Sequence, residues 1–144
     1  MVVESKPFID PRLELQWISE IQGWGVFTTE DLPPNFIIER SPLIIFPEKI
    51  VDMTYWMLQA EGIRSESFML DRYMIRWGDS SAIPLGWCGL YNHSDTNNVT
   101  FQAHYEAQLM EIRTLRPITR GAQCLVSYGS EWFQAKGYIT KVDF

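Results

Sequence analysis

The sequence predicts a mostly β domain with one short helical insertion. Three observations carry this. Short runs alternate apolar and polar residues, as in Leu13, Leu15 and Trp17 against Glu14 and Gln16, which is the period of a half-buried strand. One stretch, Glu48 to Glu61, has helical spacing instead. The 144 residues, 46% hydrophobic and 14% aromatic, suit a single globular domain over 1–144, long enough to bury roughly two-thirds of its extended surface.

The elements follow in order. After the Leu13–Trp17 strand, Gly23-Trp24-Gly25 breaks the pattern and Val26-Phe27-Thr28-Thr29 resumes it. Pro33-Pro34-Asn35 signals a turn, then Phe36 to Ile38 reads as one strand and Leu43 to Phe46 as another. In the helix, Ile50, Met53, Met57 and Leu58 fall near helical spacing, and Gly62 ends it. Ser65 to Arg72 reads as a second short helix, so the helical insertion covers about 47–76. Val99, Phe101, Ala103 and Tyr105 alternate with polar neighbours, as does Leu109 to Thr114, and the two runs predict an antiparallel pair turning at Ala107-Gln108. Arg120-Gly121 closes a turn, and Cys124 to Tyr128 is the last strand.

Composition excludes several classes. No run approaches the ~18 apolar residues of a membrane span, and Met1 to Lys6 lacks the basic start and apolar run of a secretory signal. Two cysteines, Cys88 and Cys124, cannot make a disulfide framework and lack the C-x-x-C pairing of a zinc cluster, so no metal site is expected and a reducing, intracellular compartment is the default. The net charge of -6 disfavours nucleic acid, whose phosphates need a basic surface. It suits a basic polypeptide partner, although the same charge also serves plain solubility.

Three stretches could carry chemistry. In Gly23-Trp24-Gly25, paired glycines let backbone approach a ligand closely, although an isolated G-x-G is more often a tight hairpin or bulge. Gly89 to Asn98 packs the amide of Asn92, the imidazole of His93 and the hydroxyl of Ser94 together. Such a cluster binds a polar ligand or caps a turn. Its place between apolar runs predicts burial. In Ser127-Tyr128-Gly129, a tyrosine at a strand end presents its phenol to a cleft, where the ordinary alternative is a core tyrosine with its hydroxyl satisfied.

Taken together, in this order and spacing, the three resemble the SET-domain lysine methyltransferases. The early G-x-G of that family matches Gly23-Trp24-Gly25, its Asn-His-Ser matches Asn92-His93-Ser94 with Asn98 four residues on, and its closing Ser-Tyr-Gly matches Ser127-Tyr128-Gly129. Leu115 to Gly121 is similar to the family's approach to its last strand. The resemblance spans about residues 12 to 133. It departs at Ala122-Gln123, where the family has an acidic residue, and at Asn97, where it often has proline. The zinc-binding cysteine flanks of many histone-modifying members are absent, so this resembles the minimal members.

The resemblance implies a SET-domain β-fold with a C-terminal pseudoknot that brings Tyr128 beside Asn92 and His93. It implies S-adenosylmethionine as methyl donor and a protein lysine as acceptor; with the acidic charge, a basic protein is expected, a histone-like tail or equally a ribosomal or other protein. Backbone around Gly23, Trp24 and Gly25, together with Asn92 and His93, would hold the cofactor. Trp132 or Phe133 would cover the adenine or close the channel. Tyr128 would be catalytic, and Tyr91, Phe101 and Val126 would line the lysine channel. Neither Phe101 nor Val126 carries a hydroxyl, which predicts methylation beyond the first step unless Tyr91 or Tyr105 supplies one. Tyr73, Met74 and Trp77 of the insertion would shape the peptide groove. Two rivals remain at this point: a cysteine hydrolase built on Cys88, His93 and Asn92, and an inactive SET fold that only binds peptide.

Overall fold

The computed structural model describes residues 6–63 and 74–128. Among these, the strands are β1 (Phe8–Ile9), β2 (Leu13–Ser19), β3 (Gly23–Thr28) and β4 (Ile37–Pro47), then β5 (Ile75–Trp77) and β6 (Ser80–Pro84) after helix α1 (Glu48–Ala60), followed by β7 (Asn92–His93), β8 (Val99–His104), β9 (Leu109–Thr114) and β10 (Leu125–Val126). The described residues are mostly strands with one α-helix, the mostly β class that the sequence predicts.

The largest sheet has the order β5-β6-β4-β9-β8, with β1 added against β4. Its organiser is β4. The polar run Glu39-Arg40-Ser41-Pro42 reads in sequence as a break between two strands, but the structure has one continuous strand there. Ile37 to Pro42 pairs with β9, and Leu43 to Pro47 with β6. The polar residues do not break the strand because Glu39 and Ser41 are fully buried and hydrogen-bond each other. A buried polar group is tolerated once it has a partner. The β5–β6 hairpin, turning at Gly78 with φ +60°, was not anticipated, and its first residues fall inside the expected insertion.

The predicted β8–β9 pair forms, running from Val99 opposite Thr114 to His104 opposite Leu109. Tyr105 lies in the turn rather than the strand, and Gln108 takes φ +54° there. Gly23-Trp24-Gly25 is not a break but the start of β3, paired with β2 from Gly25–Gln16 back to Gly23–Ser19. The reversal sits just before it. Cys124 to Tyr128 makes only a short ladder, β10. Tyr128 has left it because its N–H donates to a side chain, His93 Nδ1.

Helix α1 ends as predicted, with Gly62 at φ +71°, but the buried face differs. Val51 is the buried residue, while Ile50, Met53 and Met57 are exposed. The helix is apolar on more than one side, so spacing alone did not identify the inner face. The second helix predicted over Ser65 to Arg72 lies outside the described residues.

One core runs through the molecule: Leu13, Val26, Leu32, Ile38, Trp77, Ala82, Cys88, Tyr91, Val99, Met110, Ile112, Ile118, Cys124 and Val126. Each such large side chain contributes roughly 1.5–3 kcal/mol by leaving water. Met74 and Trp77, expected at a peptide groove, are buried. Tyr73 lies outside the described residues.

Candidate functional site

The site forms where the C-terminal segment is sewn between two distant elements. On one side it follows β3: Gly121 N–H donates to Thr28 O at 2.8 Å, Thr28 N–H to Ala122 O at 3.1 Å, and Cys124 N–H to Val26 O at 2.8 Å. On the other side β10 lies parallel to β7, Leu125 opposite Asn92 and Val126 opposite His93. Asn98 fastens the segment. Its Nδ2 donates to Gln123 O at 2.9 Å, its Oδ1 accepts from Leu125 N–H at 2.7 Å, and its own N–H donates to Leu125 O at 3.0 Å. The Asn98 amide thus does the work of a neighbouring strand.

Where β3 and β7 face each other across this segment, Asn92 is the hub. Its Nδ2 donates to Trp24 O at 3.3 Å and to Gln123 Oε1 at 2.9 Å. A carbonyl can only accept, so the amide nitrogen must face Trp24, and Gln123 must then present its oxygen. Asn92 Oδ1 accepts no hydrogen bond from the described residues, and solvent reaches it, since the atom is not among the buried ones left without a partner. It is an open acceptor beside a glycine. A Cβ on Gly25 would sit 2.6 Å from Gln123 Oε1, 2.7 Å from Ile18 Cδ1 and 3.0 Å from Asn92 Nδ2. Side chains of Gln123, Ile18 and Asn92 therefore already fill the space where a side chain at position 25 would stand, and Asn92 Oδ1 is an acceptor with no partner among the described residues.

Beyond Asn92 stands His93, 2% exposed. Its Nδ1 accepts from Tyr128 N–H at 3.0 Å, so Nε2 carries the proton and faces Asp95 Oδ1 at 3.1 Å. The ring therefore holds the Tyr128 backbone. The Tyr128 ring lies 5.3 Å from that of His93, inclined by 32°, and its hydroxyl donates to Tyr91 O at 2.6 Å. The residues at 91–93 and 128, separated by more than thirty positions in the chain, form one cluster.

The other residues singled out by sequence scatter around it. Trp24 uses its backbone carbonyl at the site, while its indole packs edge-on against Trp17 with centroids 5.6 Å apart. Val126 is fully buried, and Phe101 is half-buried against the same core. Tyr91 is fully buried with its phenol donating to Glu39 Oε1 at 2.8 Å. Burial, and then the Glu39 carboxylate, push that phenol well above its usual pKa. Trp132, Phe133 and Gly129 lie outside the described residues.

Sequence reasoning missed Glu39. Besides Tyr91 it accepts from the Ser41 hydroxyl and from Trp87 N–H at 2.6 Å. Burial raises its pKa, against the lowering effect of these donors. The available signal was a carboxylate in an otherwise apolar strand pattern, masked by its neighbour Arg40. Asp95, two residues after His93, was likewise unassigned. The cysteine-hydrolase alternative fails here. Burial pushes the Cys88 thiol well above its usual pKa, the opposite of an activated nucleophile, and His93 Nδ1 is committed to Tyr128 N–H.

Comparison with known proteins bears on this geometry. Residues 23–129 match the SET domain family. A histone-lysine N-methyltransferase of Schizosaccharomyces pombe, H3 lysine-37 specific, is 26% identical over 130 residues, covering 89% of this chain and 81% of that protein. A crystal structure of a Plasmodium falciparum protein assigned as a histone methyltransferase is similar with a TM-score of 0.62 and 26% identity, covering 87% of this chain and 99% of that one. The family match begins at the glycine that opens β3 and ends one residue beyond Tyr128, so it encloses the whole seam, and the chain belongs to the SET-domain family.

Proposed function

We propose that this chain transfers methyl groups from S-adenosylmethionine to a lysine side chain of a basic protein. The observation that carries the reading is the convergence of Asn92, Gln123, Gly25 and Tyr128 on one seam, where Asn92 Oδ1 accepts from none of the described residues. The family and the histone methyltransferases it resembles support the same reaction class.

S-adenosylmethionine supplies a methyl group on a sulfonium, which leaves without help from a metal. Asn92 Oδ1 would accept from its ammonium group, and the backbone of β3 around Gly25 would lie beside it. Gln123 contributes by turning the Asn92 amide the right way. It does so as an acceptor, which is why a carboxamide can stand where the family has an acid. Free lysine has a pKa of about 10.4 and is mostly protonated at neutral pH. Apolar lining from Val126 and Phe101 would favour the neutral, nucleophilic amine by desolvation. Tyr128, held at both its N–H and its hydroxyl, would orient that amine, and orientation of this kind accounts for much of the rate.

The test is incubation with labelled S-adenosylmethionine, a chelator and a panel of basic proteins including the core histones and ribosomal proteins, read by mass spectrometry. Label on a lysine is expected, with Tyr128→Phe slower by orders of magnitude. Di- or trimethyl-lysine is expected to accumulate, because the Tyr91 phenol is committed to Glu39 and Tyr105 packs on Trp77 with centroids 4.7 Å apart. The absence of any label, together with the absence of cofactor binding by calorimetry, would overturn the reading.

A further inference from the structure

The Tyr128 hydroxyl has a defined acceptor, the Tyr91 carbonyl at 2.6 Å. What holds that carbonyl is unusual for a loop. Tyr91 follows a 3-10 turn, Cys88–Leu90, and precedes β7. Its side chain is fully buried, with the phenol on Glu39 Oε1 at 2.8 Å. The other oxygen of the same carboxylate accepts from Trp87 N–H at 2.6 Å, at the start of the turn. Glu39 therefore grips both ends of the segment 87–91. It is itself fixed. It lies on β4 opposite Ile112 of β9, is fully buried, and is held by the Ser41 hydroxyl. A Cβ on Gly86 would fall 2.5 Å from Glu39 Oε2, so the chain can pass this close only as glycine.

We propose that Glu39 is a positioning residue for methyl transfer: by holding the Tyr91 phenol and the Trp87 amide, it fixes the Tyr91 carbonyl that orients the Tyr128 hydroxyl. The central strand of the large sheet is thereby coupled to the transfer site through one carboxylate and one tyrosine. This rests on the methyl-transfer reading above. It also reassigns Tyr91 from channel lining to support, since its phenol faces Glu39 and its carbonyl faces Tyr128.

A merely structural carboxylate would lower stability and leave turnover of the folded protein unchanged. A positioning one lowers kcat without weakening binding. The comparison uses Tyr91→Phe, Tyr128→Phe and the double variant. The acceptor is histone H3 or whichever protein of the panel takes up label. Assays run below the unfolding range of each variant. Tyr91→Phe is expected to lower kcat roughly tenfold or more, with KM and cofactor affinity little changed. In the Tyr128→Phe background it should have no further effect, because it acts only through that hydroxyl. In the cofactor-free protein, the ring-carbon resonance of labelled Tyr128 should shift or broaden in Tyr91→Phe. Wild-type kcat together with an unmoved Tyr128 resonance would overturn the inference. Should Tyr91→Phe not fold, Ser41→Ala loosens the same carboxylate and leaves Tyr91 intact. A fall in its kcat at unchanged KM supports the proposal, and wild-type kcat overturns it. Wild-type turnover in Tyr128→Phe would instead remove Tyr128 from the mechanism. A slow Tyr128→Phe beside an unaffected Tyr91→Phe would leave methyl transfer standing and sink only the role of Glu39.

Discussion

Gly23 and Gly25 flank one tryptophan and do different physical work. Gly23 has φ +68° and open space around it. Its requirement is conformational, and a side chain there costs about 1–2 kcal/mol in the left-handed region. Gly25 lacks that φ but is walled in by Gln123, Ile18 and Asn92, so its requirement is space. Gly25→Ala is therefore expected to push the Gln123 and Asn92 amides out of their present arrangement. The fold should persist, since the Gln123 and Ile18 contacts are ends of flexible side chains. Affinity for S-adenosylmethionine should fall by tenfold or more, the equivalent of one lost buried hydrogen bond of about 1.4 kcal/mol. Calorimetry checks it, and an unchanged Kd would show that cofactor binding does not depend on how the Gln123 and Asn92 amides are arranged. The motif residues were legible in the sequence because glycine, asparagine and tyrosine in that order have few other reasons to recur. The supports were not. Glu39 looks like any polar residue on a strand, and only the fold reveals three donors aimed at it.

Pairing between elements explains why residues so far apart in sequence meet. The segment 121–128 follows β3 first and β7 next, and Asn98 holds it through both amide atoms. Asn98→Ala leaves Leu125 N–H and Gln123 O without those partners. Each lost partner costs about 1–3 kcal/mol when the group is removed from water. Stability is expected to fall by about 2–4 kcal/mol, within that range for two part-buried groups. Cofactor affinity should fall with it, because Gln123 sits in the loosened stretch. Urea unfolding with parallel calorimetry tests this. Wild-type stability would mean that β3 alone retains the segment. Periodicity found β2, β8 and β9 in the sequence because each has a simple polar-apolar alternation. It split β4, whose buried Glu39 and Ser41 mimic a break, and it overlooked the short β5–β6 hairpin. A parallel pairing such as β7–β10, only two residues long, leaves no periodic trace at all. It was reachable only through the family resemblance.

At the scale of the whole molecule, two ion pairs tie strands together and make stability depend on pH in a direction that can be worked out. At the turn from β1 to β2, Arg12 donates Nε to Asp10 Oδ1 at 2.9 Å and its terminal nitrogen to Oδ2 at 2.8 Å. That guanidinium holds the Asp10 carboxyl below its usual pKa, against the effect of burial. Across β4 and β9, burial disfavours ionised Glu111, but the hydrogen bond from Arg40 at 2.6 Å and the neighbouring His104 outweigh it, and its pKa is also lowered. A carboxyl lowered on folding gives its full stabilisation above the unfolded pKa of about 4 and loses it as pH falls through the lower folded value. Glu39 runs the other way. Its raised pKa means the unfolded chain releases its proton first, so its contribution declines as pH rises from the ordinary glutamate value to the folded one. Asp10→Asn isolates the first effect. Its melting temperature should lie below wild type at neutral pH, and the gap should narrow as pH falls below the unfolded value of about 4 and close once Asp10 is protonated in both states. Calorimetric melting across that range decides it. A gap that stays constant would mean that Asp10 contributes through the shape of its hydrogen bonds and not through its charge.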